Sequence, residues 1–202
     1  MDIQMRNHLK ILLLNLFNRL LLYKHKVEII ELKGKFKSVG KNFRIKKDFS
    51  IYNPQYIEIG MNFRSLERFR IEAIDKFGNQ KFTPSIKIGN NVNFNTDIHI
   101  GCVNSIIIGD NCLFGSRIFI SDHNHGETTE EMLQIFPMKR PLVSKGSIVI
   151  KNNVWVGEGV AIMPNVIFGE NCIIAANAVV TKDVPPNCIA AGVPAKIIKK
   201  IR

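Results

Sequence analysis

The feature that most constrains this chain is an apolar period of six. From residue 150 onward a large aliphatic or aromatic residue recurs at every sixth position: Ile150, Val156, Ile162, Phe168, Ile174, Val180. Four positions after each stands a second apolar residue: Val154, Val160, Val166, Cys172, Ala178, Val184. The same register appears earlier with interruptions, in Ile88, Phe94 and Ile100, then Ile108, Phe114 and Ile120, and before them Val39, Ile45, Ile51 and Ile59. A helix would show a period of 3.6 and a simple strand a period of 2, so neither accounts for it. Six suits a short strand plus a turn, three such units closing a triangular coil of about 18 residues. The predicted fold class is therefore all-β, a parallel β-helix. Its large residues point inward, and corners such as Gly89-Asn90-Asn91 and Gly109-Asp110-Asn111 supply positive φ.

A chain of 202 residues carries one substantial core. The expected organisation is an N-terminal helical segment over 1–30 and a β-helix domain over 31–202. Leu9 to Tyr23 (LKILLLNLFNRLLLY) reads as an amphipathic helix with a wide apolar face, Asn15, Asn18 and Arg19 sharing the other side. It is short for a membrane span and lacks a signal-peptide cleavage site. Two readings stay open for it. It packs on the domain or a neighbouring subunit, or it forms a peripheral membrane foot with Lys10, Arg19, Lys24 and Lys26 near lipid phosphates. The expected location is cytoplasmic, with the inner membrane face as the alternative.

The net charge of +11 points to an anionic partner, cofactor or surface, with solubility alone as the other reading. A nucleic-acid module would interleave aromatic and basic residues, and no such stretch is evident. The four cysteines show no C-x-x-C spacing and read as buried free thiols in a reducing compartment.

A stacked coil can accept an insertion only at a corner, on the outside. The longest interruption runs over residues 121–147 and opens with Ile120-Ser121-Asp122-His123-Asn124-His125-Gly126. Phe136 and two prolines within it favour an ordered arm folding over a neighbouring site. A second interruption, read as Arg64 to Ser85, suggests a hairpin-like excursion around Phe77-Gly78-Asn79. Arg68, Arg70 and Glu72 in it read as solvated strand faces, with an acceptor groove as their other use.

The chain resembles the hexapeptide-repeat acyltransferases, whose fold is a left-handed parallel β-helix. Within them the closer resemblance is to maltose, galactoside and capsular or lipopolysaccharide sugar O-acetyltransferases. Three stretches carry it: Asn153-Val154-Trp155-Val156-Gly157, Val180-Thr181-Lys182-Asp183-Val184-Pro185-Pro186 and Ala191-Gly192-Val193-Pro194-Ala195-Lys196. The resemblance implies transfer of an acetyl group from acetyl-coenzyme A to a saccharide hydroxyl in surface-polysaccharide biosynthesis, by a homotrimer and without a metal. It places the base at His123, with His125 as competitor and Asp122 as a weak candidate to orient the ring. Histidine suits the role because it is largely neutral and basic near pH 7. The oxyanion donor is expected at the backbone N–H of Glu158. Coenzyme A is expected along Gly157, Ala176, Thr181, Lys182 and Lys196, with its thioester end near Trp155 and Gly157, and the acceptor near Asn95 and Asp97, with His99 a further candidate. Two other readings stand beside it. One is a zinc enzyme of the γ-carbonic anhydrase type using His99, His123 and His125; the other is a non-catalytic polyanion-binding β-helix.

Overall fold

The computed structural model describes residues 3–201. The chain divides into two compact units, one up to residue 35 and one from residue 36 onward. The first is a single α-helix, Ile3–Lys33, which continues well past the apolar run that signals it. No helix among the described residues is long and apolar enough to cross a membrane.

The second unit is a triangular prism of three parallel sheets. Its first face stacks Ser38–Val39, Ile57–Ile59, Ser85–Ile88, Ser105–Ile108, Ile148–Ile150 and Ile167–Phe168. The second stacks Arg44–Ile45, Arg64–Ser65, Asn93–Phe94, Leu113–Phe114, Trp155–Val156, Ile173–Ile174 and Cys188–Gly192. Ala195–Lys200 turns back antiparallel to close it. The third stacks Ser50–Tyr52, Phe69–Ala73, Ile98–Cys102, Ile118–Ser121, Ala161–Ile162 and Val179–Val180.

Register explains the period. Ile88, Ile108, Ile150 and Phe168 are consecutive partners on the first face. Phe94, Phe114, Val156 and Ile174 align on the second, and Ile100, Ile120, Ile162 and Val180 on the third. All twelve are buried. Each such side chain contributes roughly 2 kcal/mol of transfer free energy, so the prism is held by its axis.

The corners are built for close stacking. At the corner after the first face, Asn42, Asn62, Asn91, Asn111, Asn153, Asn171 and Asn187 all take φ between 56° and 60°. Asparagine tolerates that region because its short amide bonds locally. Here the amides also bond one another up the prism: Asn62 Nδ2 donates to Asn91 Oδ1 at 2.7 Å, and Asn91 Nδ2 to Asn111 Oδ1 at 2.9 Å. Glycine is required beside them, since a Cβ on Gly60 would stand 2.5 Å from the Gly89 carbonyl oxygen.

The second interruption is smaller than the sequence suggests. Arg64–Ser65 and Phe69–Ala73 are coil strands, and the excursion is the hairpin Lys76–Phe77 with Gln80–Lys81. Ser65 hides the coil. It occupies an inward position at 1% exposure, where the period calls for a large apolar residue, and its Oγ donates to the Leu66 carbonyl at 3.1 Å. The long arm is ordered. Asn124–His125 pairs antiparallel with Leu142–Val143, and between them lie a short helix, Glu130–Leu133, and a turn, Pro137–Lys139. Its tip leaves Leu133, Phe136 and Met138 exposed. Cys102, Cys112, Cys172 and Cys188 are buried free thiols.

Candidate active site

The third face delivers His123. Strand Ile118–Ser121 ends at the corner where the arm departs, and Asp122 turns into the prism instead of toward solvent. The carboxylate is fully buried and well supplied with donors. Val103 N–H reaches Oδ1 at 2.9 Å, Asn104 N–H reaches Oδ2 at 2.8 Å, and the Cys102 thiol lies 3.3 Å from Oδ2. His123 Nδ1 stands 3.0 Å from Oδ1. Burial pushes the carboxyl up, but the hydrogen bonds from His123, Val103, Asn104 and Cys102 outweigh it and hold Asp122 below its ordinary range. The Cys102 thiol is pushed far up, by burial first and then by Asp122 beside it, so it stays protonated and donates.

An ionised carboxylate only accepts hydrogen bonds. Nδ1 of His123 therefore carries the proton, and Nε2 is left as the basic nitrogen. Ser121 Oγ donates to the His123 carbonyl at 2.9 Å and fixes the backbone. Gly101 makes room, because a Cβ there would stand 3.3 Å from His123 Cε1.

His123 lines a cavity of about 470 Å³ on the outer surface of the third face. Arg70, Glu72, His99 and Phe119 share it, brought side by side by the register of three successive strands. Glu72 takes Arg70 at 2.9 Å and His99 Nε2 at 3.1 Å. His99 meets the Phe119 ring edge-on at 5.4 Å. The arm and the hairpin close one side. Gln80 exchanges two hydrogen bonds with the Leu142 backbone, at 2.7 and 3.1 Å, and Phe77 packs edge-on against His125 at 5.3 Å.

A second cavity, of about 520 Å³, lies on the second face. Asn95, Leu113, Trp155, Gly157, Glu158 and Ala176 line it. Trp155 is half exposed, and Gly157 cannot be replaced without a shift, since a Cβ would meet the Ala176 nitrogen at 2.7 Å. Gly157 N–H is spent on the Ile174 carbonyl, whereas Glu158 N–H has no acceptor among the described residues.

Residues 147–182 match the family model described as bacterial transferase hexapeptide (six repeats). The Escherichia coli K12 protein named a lipopolysaccharide biosynthesis O-acetyl transferase, WbbJ, is 37% identical over 153 residues, which is 74% of each chain. The chain belongs to the hexapeptide-repeat transferase family. It is an acyltransferase, and its fold is the left-handed parallel β-helix. The non-catalytic reading therefore falls. The galactoside O-acetyltransferase of Escherichia coli K12 is 37% identical over 58% of this chain, which spans 55% of that enzyme. Among solved structures, a variant of AntD, an N-acyltransferase from Bacillus cereus crystallised with dTDP and coenzyme A, aligns with a TM-score of 0.68. It is 25% identical, over 85% of this chain and 88% of that one.

Within the transferase, the expected site residues separate into groups. Asn95, Trp155, Gly157, Glu158 and Ala176 meet at the second-face cavity. Thr181, Lys182 and Lys196 are exposed in the last coil and its closing strand. Asp97 sits at the corner after the second face with φ 60°, its carboxylate 2.7 Å from Arg68, and lines neither cavity. His99, His123 and His125 have separate partners in Glu72, Asp122 and Phe77. Asp122, a weak candidate from the sequence, contacts His123, and Arg70 and Glu72, expected as solvated strand faces, line its cavity. The signal for Arg70 and Glu72 was their alternation with Phe69, Ile71 and Ala73, a half-buried strand pattern whose outer side ends in the cavity.

Proposed function

We propose that this transferase moves an acetyl group from acetyl-coenzyme A to a saccharide hydroxyl, in the cytoplasm and in the service of surface-polysaccharide assembly, with His123 as general base. The buried Asp122 carboxylate bonded to His123, which faces a cavity of polar and aromatic groups, carries the reading. His123 Nε2 accepts the hydroxyl proton as that oxygen attacks the thioester carbon. The imidazolium that forms is stabilised by Asp122, and the tetrahedral oxyanion takes a hydrogen bond from Glu158 N–H. Collapse breaks the C–S bond, and the departing thiolate takes the proton back from His123. The products are the acetyl ester and the free thiol.

The second-face cavity suits the thioester arm, at Trp155, Gly157 and Ala176, with Thr181, Lys182 and Lys196 meeting the phosphates. Coenzyme A is named in the solved AntD complex, which supports this assignment. Because the base and this cavity lie on different faces of one prism, a neighbouring copy supplies the complementary half, as in a trimer. On the acceptor side, Glu72, Arg70 and His99 are the sugar-facing polar groups and Phe119 is the apolar platform. Asn95 takes part from the neighbouring copy's second face. Asp97 would have to leave Arg68 to join them.

The test is thiol release from acetyl-coenzyme A across a panel of free sugars, oligosaccharides and nucleotide sugars. His123→Ala is expected to lower kcat by about 10²–10⁴-fold with the Kd for coenzyme A unchanged. Full activity in that variant overturns the base assignment. Transfer to amino sugars alone overturns the O-acetyl reading in favour of N-acylation.

A further inference from the structure

The helix Ile3–Lys33 leaves a row of large apolar side chains exposed within its own unit: Leu13, Leu16, Leu20, Tyr23 and Ile30 are between 56% and 71% accessible, and Val27 is 36%. Their spacing is 3, 4, 3, 4 and 3, and Leu9 extends it by one more step of four. This is an alternating 3–4 repeat with Leu13, Leu20 and Val27 at a and Leu9, Leu16, Tyr23 and Ile30 at d. The other six registers are each broken between Leu9 and Ile30 by Lys10, Asn15, Asn18, Arg19, Lys24 or His25.

Charge placement points the same way. Between Lys10 and Lys33 the charged residues are Lys10, Arg19, Lys24, Lys26, Glu28, Glu31 and Lys33, and all but Glu28 fall at e or g, flanking the seam on both sides. An interfacial lipid-binding helix would gather them opposite its apolar stripe. In a parallel arrangement, Lys26 at g faces Glu31 at e of the next chain and attracts it, while Leu12 and Phe17 make the equivalent pair apolar. Arg19 and Lys24 form a like-charged pair that costs only a few tenths of a kcal/mol when exposed. The seam spans about 32 Å of helix, about six turns.

We infer that this helix is a coiled-coil module whose occupant is the same helix of other copies of the chain, in parallel. Three strands rest on the trimer of the proposed function; the seam itself does not. Chains related by a cyclic axis must run their helices in the same direction. Leucine at two of the three a positions departs from the β-branched preference of two-stranded coils. Outer positions carry Ile11, Leu14, Leu21 and Leu22, which the seam leaves uncovered.

Cysteine cross-linking of the full chain tests this, because the four native thiols are buried. Leu20→Cys, at a, is expected to give predominantly disulfide-linked pairs on mild oxidation, whereas Leu21→Cys, at b, gives less than about a tenth as much. Equal linking of the two variants, or none in either, overturns the seam. A companion flotation with phosphatidylglycerol vesicles decides the other occupant: strong vesicle binding with no Leu20→Cys linking assigns the helix to lipid. Neither readout needs an acceptor or acetyl transfer, so this inference and the proposed function fail separately.

Discussion

An imidazole serves as a base only while one ring nitrogen is free of its proton and correctly aimed. In the proposed mechanism both conditions trace, for His123, to Asp122. Three donors besides His123 converge on its carboxylate, so it is ionised before the ring arrives and cannot rotate away. Asp122→Asn keeps the shape but removes the charge that stabilises imidazolium, and one face of the new side chain becomes a donor. We expect kcat to fall by about 10²-fold or more while the Kd for coenzyme A holds. An unchanged kcat would reduce Asp122 to a packing role. Stability follows the same group. Its folded pKa lies below the unfolded value of about 3.9, so its contribution is complete above that value and disappears as pH falls through the folded pKa. Thermal denaturation should therefore show wild type and Asp122→Asn separated by about 1–3 kcal/mol at pH 7, with the gap closing below about pH 4.

At the scale of elements, the arm over residues 121–147 and the hairpin Lys76–Lys81 leave different coils and meet outside the prism. Gln80 joins them, giving and receiving one hydrogen bond with the Leu142 backbone. Gln80→Ala removes both and should loosen the arm by about 1–3 kcal/mol. Limited proteolysis of the exposed segment around Phe136 should then speed up, and the acceptor KM should rise while that for acetyl-coenzyme A holds. Proteolysis at the wild-type rate would mean the strand pair Asn124–His125 with Leu142–Val143 anchors the arm alone.

These elements also show where the sequence was legible. The inward ladders follow from a period that one-dimensional spacing reports directly, so the prism and its corner asparagines were readable. The corner where the arm departs at His123 was readable as a break in that period, whereas the role proposed for His123 came from the family resemblance. The Arg70–Glu72–His99 group was not readable, since its members lie up to 29 residues apart in sequence and meet only through register. Ser65, polar where the ladder calls for an apolar residue, erased the coil that would have supplied the register.

At the scale of the molecule, one prism carries His123 on its third face and the Trp155–Ala176 cavity on its second, and under the proposed function neither face is a whole site. If copies complete each other, two inactive variants must restore activity when mixed. His123→Ala removes the base and leaves the second face intact. Ala176→Arg fills the second-face cavity from an exposed position and leaves the base intact. In a trimer assembled at random from equal amounts of both, an intact site forms wherever the third face of an Ala176→Arg copy meets the second face of a His123→Ala copy. That happens at about one junction in four, so co-expressed mixtures should regain about a quarter of the wild-type rate while each parent alone stays near zero. A site contained within one chain predicts no recovery, because every chain then carries a defect. The fraction recovered thus reports both that the site is shared and that the same two faces meet at every junction.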